Sequence, residues 1–288
     1  MNNAYLILAH HQPRHLAGLI GALDCPEAHF FVHVDKKAQL DAFRALVHDK
    51  EKISFCENRV GVHRFDFSMV EATLRLLSMA VRSPRDFDRY CLLSGSDFPI
   101  KSNSRIVAAL SANEEFIRID GPANVRRFFL GSRPYPFPMN IGRHILRRFL
   151  LHFPRKPFRK IRLYTGSQWW ALTRGCISFI LDFLRTNKDY FRFMRFAPVP
   201  DELFFHSLVK ASPFSQSISQ DFERGRELPP DEYACHYIDW SAKGVPLPKV
   251  LDVEDLPKLL RSSALFARKF HEIKSAELVG KLEETRRG

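Results

Sequence analysis

Cysteine is scarce in this 288-residue chain. Its five residues, Cys25, Cys56, Cys91, Cys176 and Cys235, are far apart and odd in number, with no Cys-x-x-Cys pair and no Cys/His ligand spacing. That pattern speaks against a disulfide framework and against a zinc site, and it fits free thiols in a reducing compartment. Long apolar runs are missing as well. The N-terminus reads MNNAYLILAHHQPRH, and only Tyr5 to Ala9 is continuously apolar before His10, His11 and Arg14 interrupt it. This is too short for a signal peptide or a membrane span and is read as a buried first strand, so a soluble or peripheral cytoplasmic protein is expected. Also absent are Gly-x-Gly-x-x-Gly, a Walker loop, a Gly-x-Ser-x-Gly elbow and His-Glu-x-x-His, which removes the common nucleotide, hydrolase and metalloprotease fingerprints. No internal repeat or low-complexity segment is visible.

What is present suffices for a large core. Hydrophobic residues make up 45% of the chain, and 26 phenylalanines are spread along it. One continuous core, hence a single domain over residues 1–288, is the expectation. The formal net charge of +12 raises the prior for an anionic partner without choosing one. The densest basic stretch, residues 143–162, is interleaved with Phe and Leu and broken by Pro154 and Pro157. It reads equally as a solvated helix and loop or as a patch for an anionic membrane surface. No nucleic-acid motif accompanies it, so nucleic acid is not expected as a partner.

The first third alternates strand-like and helix-like segments, the pattern of a parallel α/β sheet. Strands are expected at residues 4–9, 30–34, 53–55 and 89–94, and helices at 14–23, 40–47 and 68–81, the last clearly amphipathic. Further on, residues 167–173 read as a strand or strand end and 177–186 as a helix. Pro200–Ala211 opens with Pro and two acids, as a helix N-terminus does. Ligands of open α/β sheets bind beyond the carboxyl ends of strands, and two acidic loops fall there: Asp35 in HVDKK and Asp97 in SGSDFP.

The polar clusters at these strand ends run, in order, YLILAHHQP, FFVHVDKKA, RYCLLSGSDFPIKSNSRI, GSQWWALTR, PDELFFHSL, YIDW with a Pro-containing loop after it, and SSALFARKF. Taken together, from about residue 5 to about residue 270, they resemble the core-2/I-branching β-1,6-N-acetylglucosaminyltransferase family, which includes peptide O-xylosyltransferase-like members. The resemblance implies an α/β fold of GT-A type, with a mostly parallel central sheet flanked by helices. The nucleotide-binding part would occupy roughly residues 1–120 and the acceptor and catalytic part roughly 121–288. It implies an inverting transfer, most often of N-acetylglucosamine, from a UDP-sugar to a glycan or lipid-linked glycan hydroxyl, with no obligatory metal or other cofactor. Neither the membrane anchor nor the disulfides of the animal members are expected here, which fits a bacterial version working in the cytoplasm, at or near the inner face of the cell membrane.

The resemblance also implies roles. An inverting transfer needs a carboxylate to take the acceptor proton, and Glu202 of the PDE segment holds the family's base position. Asp201 is its neighbour on the acceptor side or a cap. On the residues alone, both acids would merely complement a helix dipole. Many related folds balance the departing diphosphate with a metal on Asp-x-Asp, and no such motif stands at the expected strand end. Basic side chains take that place in the family: Lys269 and Arg268 here, with Lys249 or Lys243 as an upstream cation. Read alone, Arg268 and Lys269 are a solvated pair at a helix end. Asp35, Ser94, Gly95 and Asp97 fall on the donor side, although Asp35 and Asp97 also suit turns. Trp240, Trp169 and Glu115, with Asp120, fall on the acceptor side, although each Trp alone reads as core. His10, His33 and His63, near strand ends, read as packed or turn residues without a role. The competing reading is a non-catalytic, basic glycan- or membrane-surface-binding protein on the same fold.

Overall fold

The computed structural model describes residues 1–47, 51–123, 158, 160–195, 197 and 199–287. Most of the basic 143–162 stretch therefore lies outside the described residues, as does most of the presumed acceptor-side segment 121–139. The chain opens with β1 (Asn3–Ala9), α1 (Pro13–Leu23), β2 (Ala28–Val34), α2 (Leu40–Arg44), β3 (Ile53–Phe55), α3 (Ser68–Arg82), β4 (Arg89–Ser94), β5 (Phe98–Pro99), α4 (Asn103–Leu110), β6 (Glu115–Ile119) and β7 (Gly121–Pro122). After the gap come β8 (Tyr164–Thr165), β9 (Ala171–Thr173), α5 (Arg174–Thr186), α6 (Lys188–Met194), α7 (Phe204–Lys210), β10 (Ile218–Asp221), β11 (Glu232–Tyr233), β12 (His236–Ile238), α8 (Leu256–Arg261), β13 (Phe266–Arg268) and α9 (Ala276–Arg287).

Seven strands form the central sheet in the order β10-β6-β9-β4-β1-β2-β3. All pairings are parallel except the two made by β9, so β9 alone runs against the rest. The mixed α/β architecture with a mostly parallel sheet is the one the alternating pattern implied. Strands β1 and β2 are buried along their whole length, as both faces of a helix-covered parallel sheet require. Alternate side chains divide between two cores. Leu6 and Leu8 join Leu76, Trp170, Tyr190 and Phe204 on one face, and Tyr5 and Ile7 join Leu16, Leu19, Ile106 and Phe266 on the other. Each such fully buried side chain contributes roughly 1.5–3 kcal/mol relative to exposure.

A second sheet, β11-β12-β13-β5, packs Phe98, Tyr237 and Phe270 with Leu278 and Leu282 of α9. The central topology has one consequence for function. The carboxyl ends of six parallel strands and the amino end of β9 share one edge of the sheet, and the strand order reverses between β1 and β4, the position at which open α/β sheets bind their ligands. Gln12, at the start of α1, accepts a hydrogen bond from Glu272 N, joining the second sheet's exit loop to this edge. Among the described residues, no helix is long and apolar enough to cross a membrane.

Candidate active site

The PDE segment is not the start of one long helix. Residues Pro200–Glu202 form a separate 3-10 turn, entered through Val199 at φ 43°, and Leu203 at φ −121° breaks the chain before α7 begins at Phe204. The break leaves Asp201 and Glu202 in the 3-10 turn, outside α7, so they are not first-turn residues of that helix. The turn is held from both sides: Gly166 N donates to Glu202 O at 3.1 Å, and His206 Nε2 donates to Ser167 O at 2.7 Å. Burial pushes the His206 ring down to about 4, so it stays neutral and serves as a fixed donor. Gly166 is required by close approach, since a Cβ there would lie 1.7 Å from Arg118 O and 2.6 Å from His206 Cδ2.

Glu202 as a whole residue is exposed, yet the protein around its carboxyl takes part of its hydration away. That burial, followed by the charges of Asp201 and Asp120, pushes it up to about 7. Asp201 is raised to about 6, mainly by burial, and its Oδ1 has no hydrogen-bond partner among the described residues. Asp120 follows the carboxyl end of β6, its N–H donates to Thr165 O, and Arg118 pairs with its side chain. Three carboxyl groups thus converge at the active edge. A carboxylate ionising near neutrality is suited to general base catalysis.

Asp97 lies in the turn between β4 and β5 and is wholly buried. Its Oδ2 accepts from Ser94 N at 2.7 Å and from His236 Nε2 at 3.2 Å, and its Oδ1 faces Arg268 Nε at 3.6 Å. Its backbone oxygen accepts from His15 Nε2 at 3.0 Å. Burial opposes a charge on His236, but Cys235 and the hydrogen bond and charge of Asp97 outweigh it and raise the ring to about 9. The guanidinium of Arg268 lies over the Trp169 ring, 4.0 Å from its centroid. Asp97 and Arg268 are therefore engaged with each other and are not presented to a ligand as free charges. Gly95 lets backbone approach backbone, since a Cβ would meet Ala9 Cβ at 3.0 Å.

Lys269 follows Arg268 and is half-buried; burial, then Arg268 and Arg64, hold it below the usual lysine range. No carboxylate pairs with it among the described residues. Lys249 differs: its Nζ bonds both oxygens of Asp255, at 2.9 and 2.8 Å, and approaches Asp252 at 3.5 Å. Its charge is spent inside the protein, which corrects the expectation of a second free cation there; Lys243 sits exposed in the neighbouring loop. Asp35 forms the turn that its composition suggested, accepting from Lys37 N at 2.9 Å, with Lys37 Nζ 3.4 Å away. It stands at the carboxyl end of β2 on the active edge. Trp240 is exposed and Trp169 nearly buried, at 46% and 8%.

Glu115 is a second correction. It begins β6 and so lies on the opposite edge of the sheet, buried, with its oxygens on Thr173 N and Oγ1. Beside it, buried Arg89 donates to the carbonyls of Leu110, Ala112, Glu114 and Ala171. This end of the sheet is a structural lock, remote from the carboxylate cluster. Of the expected site residues, Glu202, Asp201, Asp35, Ser94, Gly95, Asp97, Trp169, Arg268 and Lys269 fall on the active edge or the second-sheet wall beside it. His206 and His236 were not foreseen, because a lone histidine carries no spacing signal; His33, by contrast, is a packed residue accepting from Val60 N. A cavity of 580 Å³ elsewhere, lined by Gly18, Ser102, Asn103 and Arg286, touches none of these groups.

Xylosyltransferase 2 of Bos taurus is 25% identical over 97% of this chain and 33% of its own length. The probable beta-1,3-galactosyl-O-glycosyl-glycoprotein beta-1,6-N-acetylglucosaminyltransferase 7 of Homo sapiens is 24% identical over 93% of this chain and 64% of its own. The chain thus spans only part of the length of the curated relatives it matches. Apo mouse xyloside xylosyltransferase 1 superposes with a TM-score of 0.33 at 13% identity, over 76% of this chain and 85% of that one, below the level at which a shared topology can be argued. The family-level match is extensive, covering residues 3–260 under the description Core-2/I-Branching enzyme. That span takes in the carboxylate cluster, the Asp97 turn and the central sheet that carries them, and the chain belongs to the Core-2/I-Branching enzyme family.

Proposed function

We propose that this protein is an inverting glycosyltransferase that moves a sugar from a UDP-sugar to a hydroxyl of a glycan or lipid-linked glycan, with Glu202 as the base. The observation that carries the reading is the environment of Glu202. A carboxyl raised to about 7 by burial and by Asp201 and Asp120 changes protonation state at the pH where a sugar hydroxyl must lose its proton. Just after β13, Lys269 offers a positive charge, unpaired among the described residues, to the departing diphosphate, which stabilises charge that develops in the transition state. Asp35 is already opposed by Lys37, which supports a transfer that does not depend on a metal at that strand end.

In the mechanism, the acceptor hydroxyl lies against Glu202, which takes its proton as the oxygen attacks the sugar carbon from the face away from the diphosphate. UDP departs toward Lys269. N-acetylglucosamine is the first donor to test. Xylose is the second, favoured by the several relatives named xylosyltransferase. The test incubates the purified protein with a panel of UDP-sugars in excess EDTA and follows UDP release, for wild type, Glu202→Gln and Lys269→Ala. Metal-independent release from one donor, lost in both variants, is expected. If no donor is turned over or bound, with or without added Mn²⁺, the reading falls and a non-catalytic glycan- or surface-binding protein takes its place.

A further inference from the structure

The second-sheet wall holds a set of buried charges that the transfer step does not consume. We propose that Asp97, His236 and Arg268 form a buried ion triad that positions Lys269 and the Trp169 ring, so that Arg268 serves the donor site through its neighbours and not by touching the diphosphate. The inference rests on the reading of Lys269 as the donor-side cation.

The three side chains come from three separate pieces of chain. Asp97 belongs to the β4–β5 turn, His236 begins β12 and Arg268 ends β13, where it pairs in register with Ile238. The Asp97 carboxylate is the only part they share: His236 Nε2 stands 3.2 Å from one oxygen and Arg268 Nε 3.6 Å from the other. Asp97 and His236 are wholly buried. Desolvating three charges is costly, and an apolar trio of the same volume would serve stability as well or better. What the ions supply is direction. Arg268 faces Asp97 as an ion pair at 3.6 Å, without a hydrogen bond between the two atoms among the described residues, and is held across its plane by Trp169, a stacking that suits a guanidinium.

Lys269 directly follows the last residue of β13, so fixing Arg268 fixes the backbone from which the Lys269 side chain leaves, and that backbone is clamped as well: Leu251 N donates to Lys269 O at 2.8 Å. The same carboxylate oxygen that accepts from His236 also accepts from Ser94 N, so the turn at the end of β4 and the Lys269 segment move as one body. Cys235 and Asp97 raise the His236 ring to about 9 against the opposing effect of burial, which favours its charged form at neutral pH.

The experiment is a double-mutant cycle on donor kinetics. His236→Gln keeps a hydrogen-bond donor without the charge, and Arg268→Lys keeps the charge without the planar stack. Each is made alone and together with Lys269→Ala, and melting temperatures confirm folding. Each single variant is expected to raise donor KM on the order of tenfold, with kcat changed less than about twofold, and to add nothing once Lys269 is absent. Losses that multiply independently in the double variants, or an unchanged KM in both single variants, overturn the inference. If Lys269→Ala itself leaves donor KM untouched, the donor reading of Lys269 falls and takes the triad's role with it. If only the Lys269 variant responds, the triad inference falls alone. Should His236→Gln melt early, Arg268→Lys carries the test, because it leaves the buried charges balanced.

Discussion

The acid limb of the rate profile follows from the surroundings of Glu202. A base must be ionised to act, and Glu202 ionises at about 7 against an ordinary 4.5. UDP release at saturating donor should therefore fall about tenfold per pH unit below neutrality, leaving about one hundredth of the plateau rate at pH 5. A carboxyl with the ordinary value would still retain about three quarters of its plateau there. Burial is the largest cause of the shift and Asp120 the third. Asp120→Asn should move the limb to lower pH without bringing it down to the ordinary glutamate range. Glu202→Gln should lower the plateau by about 10²–10⁴-fold and abolish the limb. The assay is initial-rate UDP release from pH 4.5 to 9 in buffers of constant ionic strength. A limb near 4.5 in the wild type, or a limb that persists in Glu202→Gln, would refute the assignment of the base.

Four further outcomes are expected. Gly166→Ala drives a methyl group into Arg118 O and His206 and should destabilise by about 3 kcal/mol or more, read as a lowered melting temperature. Glu115→Gln loses one of the hydrogen bonds to Thr173 and should cost about 1 kcal/mol of stability while leaving donor KM and kcat as they were; a changed KM would restore it to the site. Lys249→Ala breaks the pair with Asp255 and should lower the melting temperature with no effect on donor KM, measured on the same preparation. Asp201 holds its proton more tightly folded than unfolded, at about 6 against 3.8, so stability present at low pH is lost as pH rises through this window. Asp201→Asn should therefore raise the melting temperature relative to wild type at pH 8 but not at pH 3.5, by thermal unfolding at both.

The strands of the first third were legible because each is an apolar run bounded by polar turns: residues 89–94 are read and found alike, and β1 and β2 begin one and two residues earlier than expected. Glu202 was legible only through the resemblance, since PDE before an apolar stripe reads as an ordinary helix start. The αL residue Val199 and the break at Leu203, which separate the turn from α7, leave no mark in the composition. Glu115 was misplaced because a strand's residues do not announce which end of the sheet they reach; that depends on β6 running parallel to β4 across the reversed β9. Lys249 was misread because its partner Asp255 belongs to a 3-10 turn six residues on, a contact invisible to any helical or strand period.

The reversed strand β9 makes pairing register a condition of activity. Its three residues are held by Cys91↔Ala171 and by Leu92 N on Trp170 O, directly after two adjacent tryptophans with different partners. Trp169 lies beneath Arg268 and beside His236, whereas Trp170 packs on Phe205. A slip of one residue would exchange the two indoles, placing the core's ring in the donor wall and the wall's ring in the core. Folding fidelity at this short strand and the arrangement of the candidate site are thus a single property: a chain that pairs β9 wrongly would keep most of its helices and lose that arrangement.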